Sequence, residues 1–589
     1  MKLLLEKTRL VVETCWGSSA LVAIVSALAL ADILQMILFL FNVSCSGWPF
    51  GVSVSLVAII FLCENSKLAL KYLLIIGVLL ILTAFTTSYC SHDAIGYHFP
   101  AQDILIRGWN PIYEATRESF EKYVGATQFA VDYVLFLPRI NALTGALVAS
   151  AVGFFVADSF LNYAFLFLLF AVSVRFSEKF WGASRLSAVV FSCGIVWTSK
   201  VTSIFAGLTD YLLYSTTLIS IFSLVLWLRK HERRDLYCMC LSMIFCAFAK
   251  SAGMFYIVVL LVLLFAKGRH FSEVRWAVFL WGICFLLLGF SPFVTSTLHY
   301  GCPFYPAVSF SSAHPAVEMT HDFGGNADAL QMGYFARICY AWVSPSLAIK
   351  CCAWWYGKDV FNPMFQVCGG VAGLGTWYRL LLLFSCLSFL ASRKNAVFYV
   401  CIGILLISNI APLKWIGFAR YFPLMWAVPF LAFFNFVFNP IWLFQNKMIQ
   451  RVLMPGVLLF TMVFSGLFAA RSMAFFGRQL AMERERQKML SEVLRGKNDF
   501  QIENHWGSYG ISRYLALRGR CVTFGRPIEG LSYDSDFLIA STRDSMQQVE
   551  RISVAYPIVN SIRDLVRFDW RHAFWPLPSV LKRGNQMYD

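Results

Sequence analysis

Apolar blocks of fifteen to twenty-five residues, separated by short charged clusters, recur along most of this 589-residue chain. A buried helix of a soluble protein rarely needs a block that long. A bilayer core of about 30 Å does, because a helix rises about 1.5 Å per residue. The blocks fall near 13–40, 48–63, 69–88, 160–175, 186–202, 211–229, 235–249, 251–266, 276–297, 370–391, 395–410, 421–441 and 452–470. Roughly thirteen spans are expected. The first block follows a short basic start and is too long for the core of a cleavable leader, so it reads as a retained helix.

Charge placement sets the expected threading. The formal net charge is +16. The Lys and Arg residues sit mostly between apolar blocks, which fits loops facing anionic lipid and argues against nucleic-acid binding. Lys2, Lys7 and Arg9, then Lys67 and Lys71, then Arg175, Lys179 and Arg185 all fall on one side of the threading. The densest cluster, Arg229, Lys230, Arg233 and Arg234, falls there too, as do Lys267, Arg269, Arg393, Lys394, Lys447 and Arg451. By the positive-inside pattern that side is cytoplasmic. The N-terminus is then inside and the C-terminus outside, in a multi-pass protein of the cell inner (cytoplasmic) membrane. The stretch 142–158 is expected to lie on the membrane surface, because counting it as a span would reverse every later cluster. The seventeen cysteines are scattered without metal-ligand spacing.

The segments divide as 1–88, N-terminal spans; 89–159, a first outer loop; 160–297, further spans; 298–369, a second outer loop; 370–470, the last spans; and 471–589, an outer tail. Long loops on a helical bundle are where function concentrates. In the tail, the runs Cys521–Phe524 and Phe537–Ala540 read as short buried strands beside helices, suggesting a small α/β domain.

Asp93 is the first candidate for chemistry, just beyond a span end. A carboxylate there reaches the headgroup region, and group transfer to a hydroxyl needs a base or an orienting acid. His92, Tyr97 and His98 surround it. Residues 91–132 carry a local net charge of −3, with Asp103, Glu114, Glu118, Glu121 and Asp132 available as a second acid. Such acids can also hold a divalent cation, or be neutralised by Arg107, Arg117 and Lys122. Asp210 opens a later span and suits a helix N-cap. Lys250 and Arg420, both expected at outer helix ends, can either hold a phosphate or snorkel to headgroups. Gly301-Cys302-Pro303-Phe304-Tyr305-Pro306 is expected to form a stiff turn.

Taken in order, Asp93-Ala94-Ile95-Gly96-Tyr97-His98-Phe99-Pro100, Thr209-Asp210, Lys250-Ser251-Ala252-Gly253, the Gly301–Pro306 turn and Arg420-Tyr421 resemble the GT-C superfamily. These are polytopic glycosyltransferases that use polyprenyl-phosphate sugars, relatives of the dolichyl-phosphate-mannose protein mannosyltransferases among them. The likeness covers about residues 70–430. Cys302 stands where Asn is usual, no second acid adjoins Asp93, and two additional spans precede the acidic loop. The resemblance implies an all-α GT-C-like bundle of about thirteen transmembrane helices, with long outer loops and the small C-terminal α/β domain outside. It implies inverting sugar transfer on the outer face, with Asp93 catalytic. His92, Tyr97, His98, Asp210, Lys250, Tyr305, Arg420 and Tyr421 would bind substrate. The partners would be a polyprenyl-phosphate sugar donor, a glycan, lipid or protein acceptor, and membrane lipids. The rival expectations are a glycolipid transporter, which requires charges near mid-bilayer and broken helices, and a non-catalytic envelope assembly protein.

Overall fold

The computed structural model describes residues 20–64, 66–85, 98–116, 118–119, 123, 134–135, 140–153, 159–198, 204, 209–268, 271–303, 376–410, 423–441, 451–466, 469–470 and four short strands between 499 and 552. The described chain is mostly helical. Its helices are α1 Ala20–Leu40, α2 Trp48–Glu64, α3 Ser66–Phe85, α4 Phe99–Ile106, α5 Ile140–Val152, α6 Ser159–Phe176, α7 Arg185–Val196, α8 Asp210–Lys230, α9 Arg233–Ala249, α10 Ser251–Gly268, α11 Ser272–Leu288 and α12 Thr295–Tyr300. After these come α13 Thr376–Leu390, α14 Ala396–Ile410, α15 Val428–Phe438 and α16 Arg451–Gly466.

Helices occupy each apolar block, but their lengths differ from the expectation. Four are long and apolar enough to cross a membrane: Ala20–Leu40, Ser66–Ala84, Ser159–Trp181 and Asp210–Lys230. The pair Ser272–Leu288 and Phe290–Tyr300, bent by 67°, makes a fifth if it is one span. Most of the remaining apolar helices run 10–17 residues, about 15–25 Å. The block near 186–202 shows why: its helix ends at Val196, and Trp197 closes the last turn onto the carbonyl of Cys193.

Burial sorts the helices by neighbour. Along α8 nearly every residue is buried. It packs against α6, α9 and α10 at the centre of the bundle. Its hydroxyls at Thr216, Thr217 and Ser220 donate to backbone oxygens of the preceding turn, so polar side chains sit in an apolar core without loss. On α3 the opposite holds. Leu70, Leu74, Val78 and Ile81 recur at helical spacing and are exposed. Similar apolar stripes run down α10 and α11. Contiguous exposed apolar faces of this extent are what lipid covers.

The expectation for 142–158 changes. A helix lying on a membrane surface would keep one face in water, whereas α5 buries every residue from Ile140 to Ala149. It packs against α1, α2, α4, α6 and α9. It is thirteen residues long, about 20 Å.

Those clusters meet at one end of the bundle. Arg175, near the end of α6, bonds Asp235 at 3.0 Å and also Glu232. Arg229 donates to the carbonyl of Lys179 and lies over the Phe180 ring. Arg233 pairs with Glu273 at 3.1 Å. Trp181 stacks on Phe438, which brings the end of α15 to the same place. The hydrogen bond from Arg175 holds the Glu232 carboxyl below its ordinary value. Its contribution is therefore present above that group's unfolded value and is lost only as pH falls through the lowered one. Arg175→Met is expected to cost about 1–3 kcal/mol, since it leaves buried Asp235 without its guanidinium. Arg185→Met, which breaks an exposed pair with Glu178, should change stability by about 0–1 kcal/mol. Thermal unfolding of both variants in detergent gives the comparison.

In the tail, the backbone forms a four-stranded sheet of Asp499–Glu503 (β1), Cys521–Gly525 (β2), Phe537–Ser541 (β3) and Val549–Ile552 (β4), ordered β2-β1-β3-β4. β1 and β2 are parallel, and the other pairs are antiparallel.

Candidate functional site

The end of the bundle opposite the basic clusters is built from the start of α8, the end of α9, the ends of α1 and α11, and the start of α5. The segment after α4 closes over it. Gly108, at φ +95°, turns the chain where a side chain would be strained. The Asn110–Pro111 turn then acts as a cap. Asn110 Nδ2 donates to the carbonyl of Phe39 at 2.9 Å and to Asn42 Oδ1 at 3.1 Å. Tyr113 donates to the carbonyl of Leu40 at 2.7 Å. The last carbonyls of α1, which no helical N–H can reach, are thereby satisfied.

Between these pieces lies an apolar pocket. Its walls include Met36 and Phe39 of α1, Leu105 of α4, Ile140 and Leu143 of α5, and Phe248 of α9. Leu288 and Ser291, at the bend after α11, complete it.

Two residues beyond Phe248 sits Lys250, in extended backbone (φ −155°, ψ 155°) between α9 and α10. Its Nζ pairs with Asp210 Oδ1. Asp210 is 2% exposed and Lys250 partly buried. Gly253 makes this geometry possible. It donates its N–H to the Lys250 carbonyl at 2.8 Å, and any Cβ there would collide with the backbone carbonyl of Cys246. The glycine of the Lys250–Gly253 element is thus a requirement of the sharp turn that sets the ammonium against α8.

One expectation is corrected. Asp210 is not the N-cap of α8: that position is Thr209, whose side chain makes no capping bond. Asp210 is the first helical residue, where a carboxylate also favours the helix dipole, and it pairs with the lysine. Lys250, expected either to hold a phosphate or to snorkel to headgroups, is engaged with Asp210.

His98 stands immediately before α4 in helical backbone and makes no side-chain cap bond. Asp93, His92, Tyr97, Tyr305, Arg420 and Tyr421 lie outside the described residues. Of the other loop acids, Asp103 lies 4.0 Å from Arg107. Glu114 Oε2 accepts from the Asn110 N–H at 2.9 Å and from Tyr123 Oη at 2.8 Å. Both therefore hold the segment together. Among the described residues no group of three His, Cys, Asp or Glu is placed to bind a metal.

The sequence reading passed over Asp32. It is the single acid in α1, it is 0% exposed, and Oδ2 accepts from Thr144 Oγ1 at 2.8 Å. An ionisable residue inside a span is itself a signal, and here it was available in the sequence.

Comparison with protein-family models, with curated proteins and with solved structures finds no match to this chain.

Proposed function

We propose that this chain is a membrane glycosyltransferase of GT-C type, moving a sugar from a polyprenyl-phosphate donor to an acceptor at the pocket end of the bundle. One observation carries the reading. A buried Asp210–Lys250 pair lies two residues from Phe248, which lines a small apolar pocket, at the end where α4 follows directly on the acidic motif. A cation held at that end of the bundle suits the anionic head of an amphiphile. Asp93 is five residues before His98, so chain length alone keeps it within about 18 Å of the start of α4.

In this reading the shorter apolar helices also count as spans, thirteen in all. The basic end faces the cytoplasm and the pocket end faces outward. The four strands belong to an extracytoplasmic α/β domain. The donor's lipid enters from the side, and Asp93 orients or deprotonates the acceptor hydroxyl. That oxygen bonds to the anomeric carbon as the carbon–phosphate oxygen bond breaks, with inversion. The lipid phosphate leaves toward Lys250 and Arg420, where a fixed cation stabilises its added charge. The test is donor-dependent sugar incorporation by purified protein, using a panel of labelled polyprenyl-phosphate sugars. Transfer is expected with at least one donor. Folded protein that consumes none of them overturns the reading.

A specific observation favours one rival. A transporter requires an ionisable group within the spans and a broken helix, and Asp32 and the 67° bend supply both. Glycolipid movement across proteoliposomes without sugar transfer would decide for that alternative.

A further inference from the structure

Asp32, Met36 and Phe39 are spaced i, i+4 and i+7 on α1 and share a face. The last two line the pocket, so Asp32 lies one turn deeper in the bundle on the same side. Across from it on α5, Thr144 donates to Oδ2. Asn141, three residues before Thr144 and 2% exposed, projects from the same face of α5. Asp32 Oδ1 and both amide atoms of Asn141 are buried and have no hydrogen-bond partner among the described residues. Three polar atoms without partners, around one acid in an apolar core, are costly unless something joins them.

No cation of the described residues answers that acid. The helices packed on α1 carry their charges at the far end: Glu64 on α2, Lys67 and Lys71 on α3, Arg175 on α6, Arg233, Arg234 and Asp235 on α9, and Glu273 and Arg275 on α11. Lys250 is paired with Asp210. Cys45 follows in the turn after α1, and α5 faces Asp32 with uncharged Thr144.

We propose that Asp32, Thr144 and Asn141 form an intramembrane site for a single positive charge, a proton or an alkali cation, reached from the apolar pocket. A bare carboxylate at this depth costs several kcal/mol, and one positive charge removes that cost. Taken from hydronium, a proton leaves water behind and makes Asp32 a neutral acid. An alkali cation instead is held by hard oxygens from all three side chains. The site stands whether or not the protein transfers sugar.

The test is labelling of the full-length protein in detergent with dicyclohexylcarbodiimide, an apolar reagent that modifies carboxyl groups inside membranes. The acid O–H adds across the carbodiimide C=N bond to give an O-acylisourea, and nothing leaves. Peptide mass mapping locates the adduct, with Asp32→Asn as the specificity control. A proton site is expected to label at Asp32, with modification falling about tenfold per pH unit above its midpoint. An alkali-cation site is expected to lose labelling when sodium replaces choline at fixed pH. No adduct at Asp32, or an adduct indifferent to both pH and sodium, overturns the proposal.

Discussion

Asp93→Asn is expected to lower sugar transfer by about a hundredfold or more while leaving thermal stability unchanged. A positioned base or orienting carboxylate contributes about 10²–10⁴ to such a step. Asparagine keeps the size of the side chain and loses the proton acceptor. Stability should hold because the substitution exchanges one polar side chain for another of equal volume. The measurement is initial transfer rate with the donor that the wild-type protein uses, alongside a melting curve in the same detergent. Undiminished transfer by the variant removes Asp93 from the chemistry.

Lys250→Met should reduce stability by about 3–5 kcal/mol, because it takes the ammonium away from a buried carboxylate. That is a large share of the roughly 5–15 kcal/mol by which folded proteins exceed unfolded ones, so the yield of folded protein should collapse. Asp210→Asn alone should cost less, about 1–2 kcal/mol, since the lysine keeps an exposed fraction and can extend its head toward water. The double variant Lys250→Met with Asp210→Asn removes both charges and should recover most of the loss, a coupling that only paired residues show. Melting temperatures of the three variants give the result. Additive losses would mean that the two residues do not act as a pair. Under the transfer reading, the refolded double variant should still be slow, because the cation that receives the leaving phosphate is gone.

Much of the bundle could be read from the sequence because one property, long apolar blocks bounded by charge, maps directly onto helices. The block 211–229 became Asp210–Lys230, and the basic residues at its end meet those beside α6. Lengths were less legible. The block near 186–202 runs past Thr198, Ser199 and Lys200, the polar run that marks where the helix ends at Val196. The environment of α5 was illegible for a related reason, since a helix is equally apolar whether lipid or protein surrounds it. For the site, Asp210 and Lys250 were each visible, but their meeting across forty residues was not. It depends on the turn that Gly253 permits. Glu114 looked like a spare catalytic acid because composition cannot reveal that Tyr123 and the Asn110 backbone would occupy it.

The stapling of residues 109–114 onto the end of α1 makes the pocket mechanically lopsided. On that flank, three side-chain hydrogen bonds tie loop to helix, and any outward movement must break them together. The opposite flank, at Leu288 and Ser291, is an elbow in the chain, with exposed Leu286 before it and exposed Leu298 after it. A bulky guest arriving from the lipid would therefore meet a fixed jamb on one side and a pivot on the other, and room for it would come from the swing of the elbow.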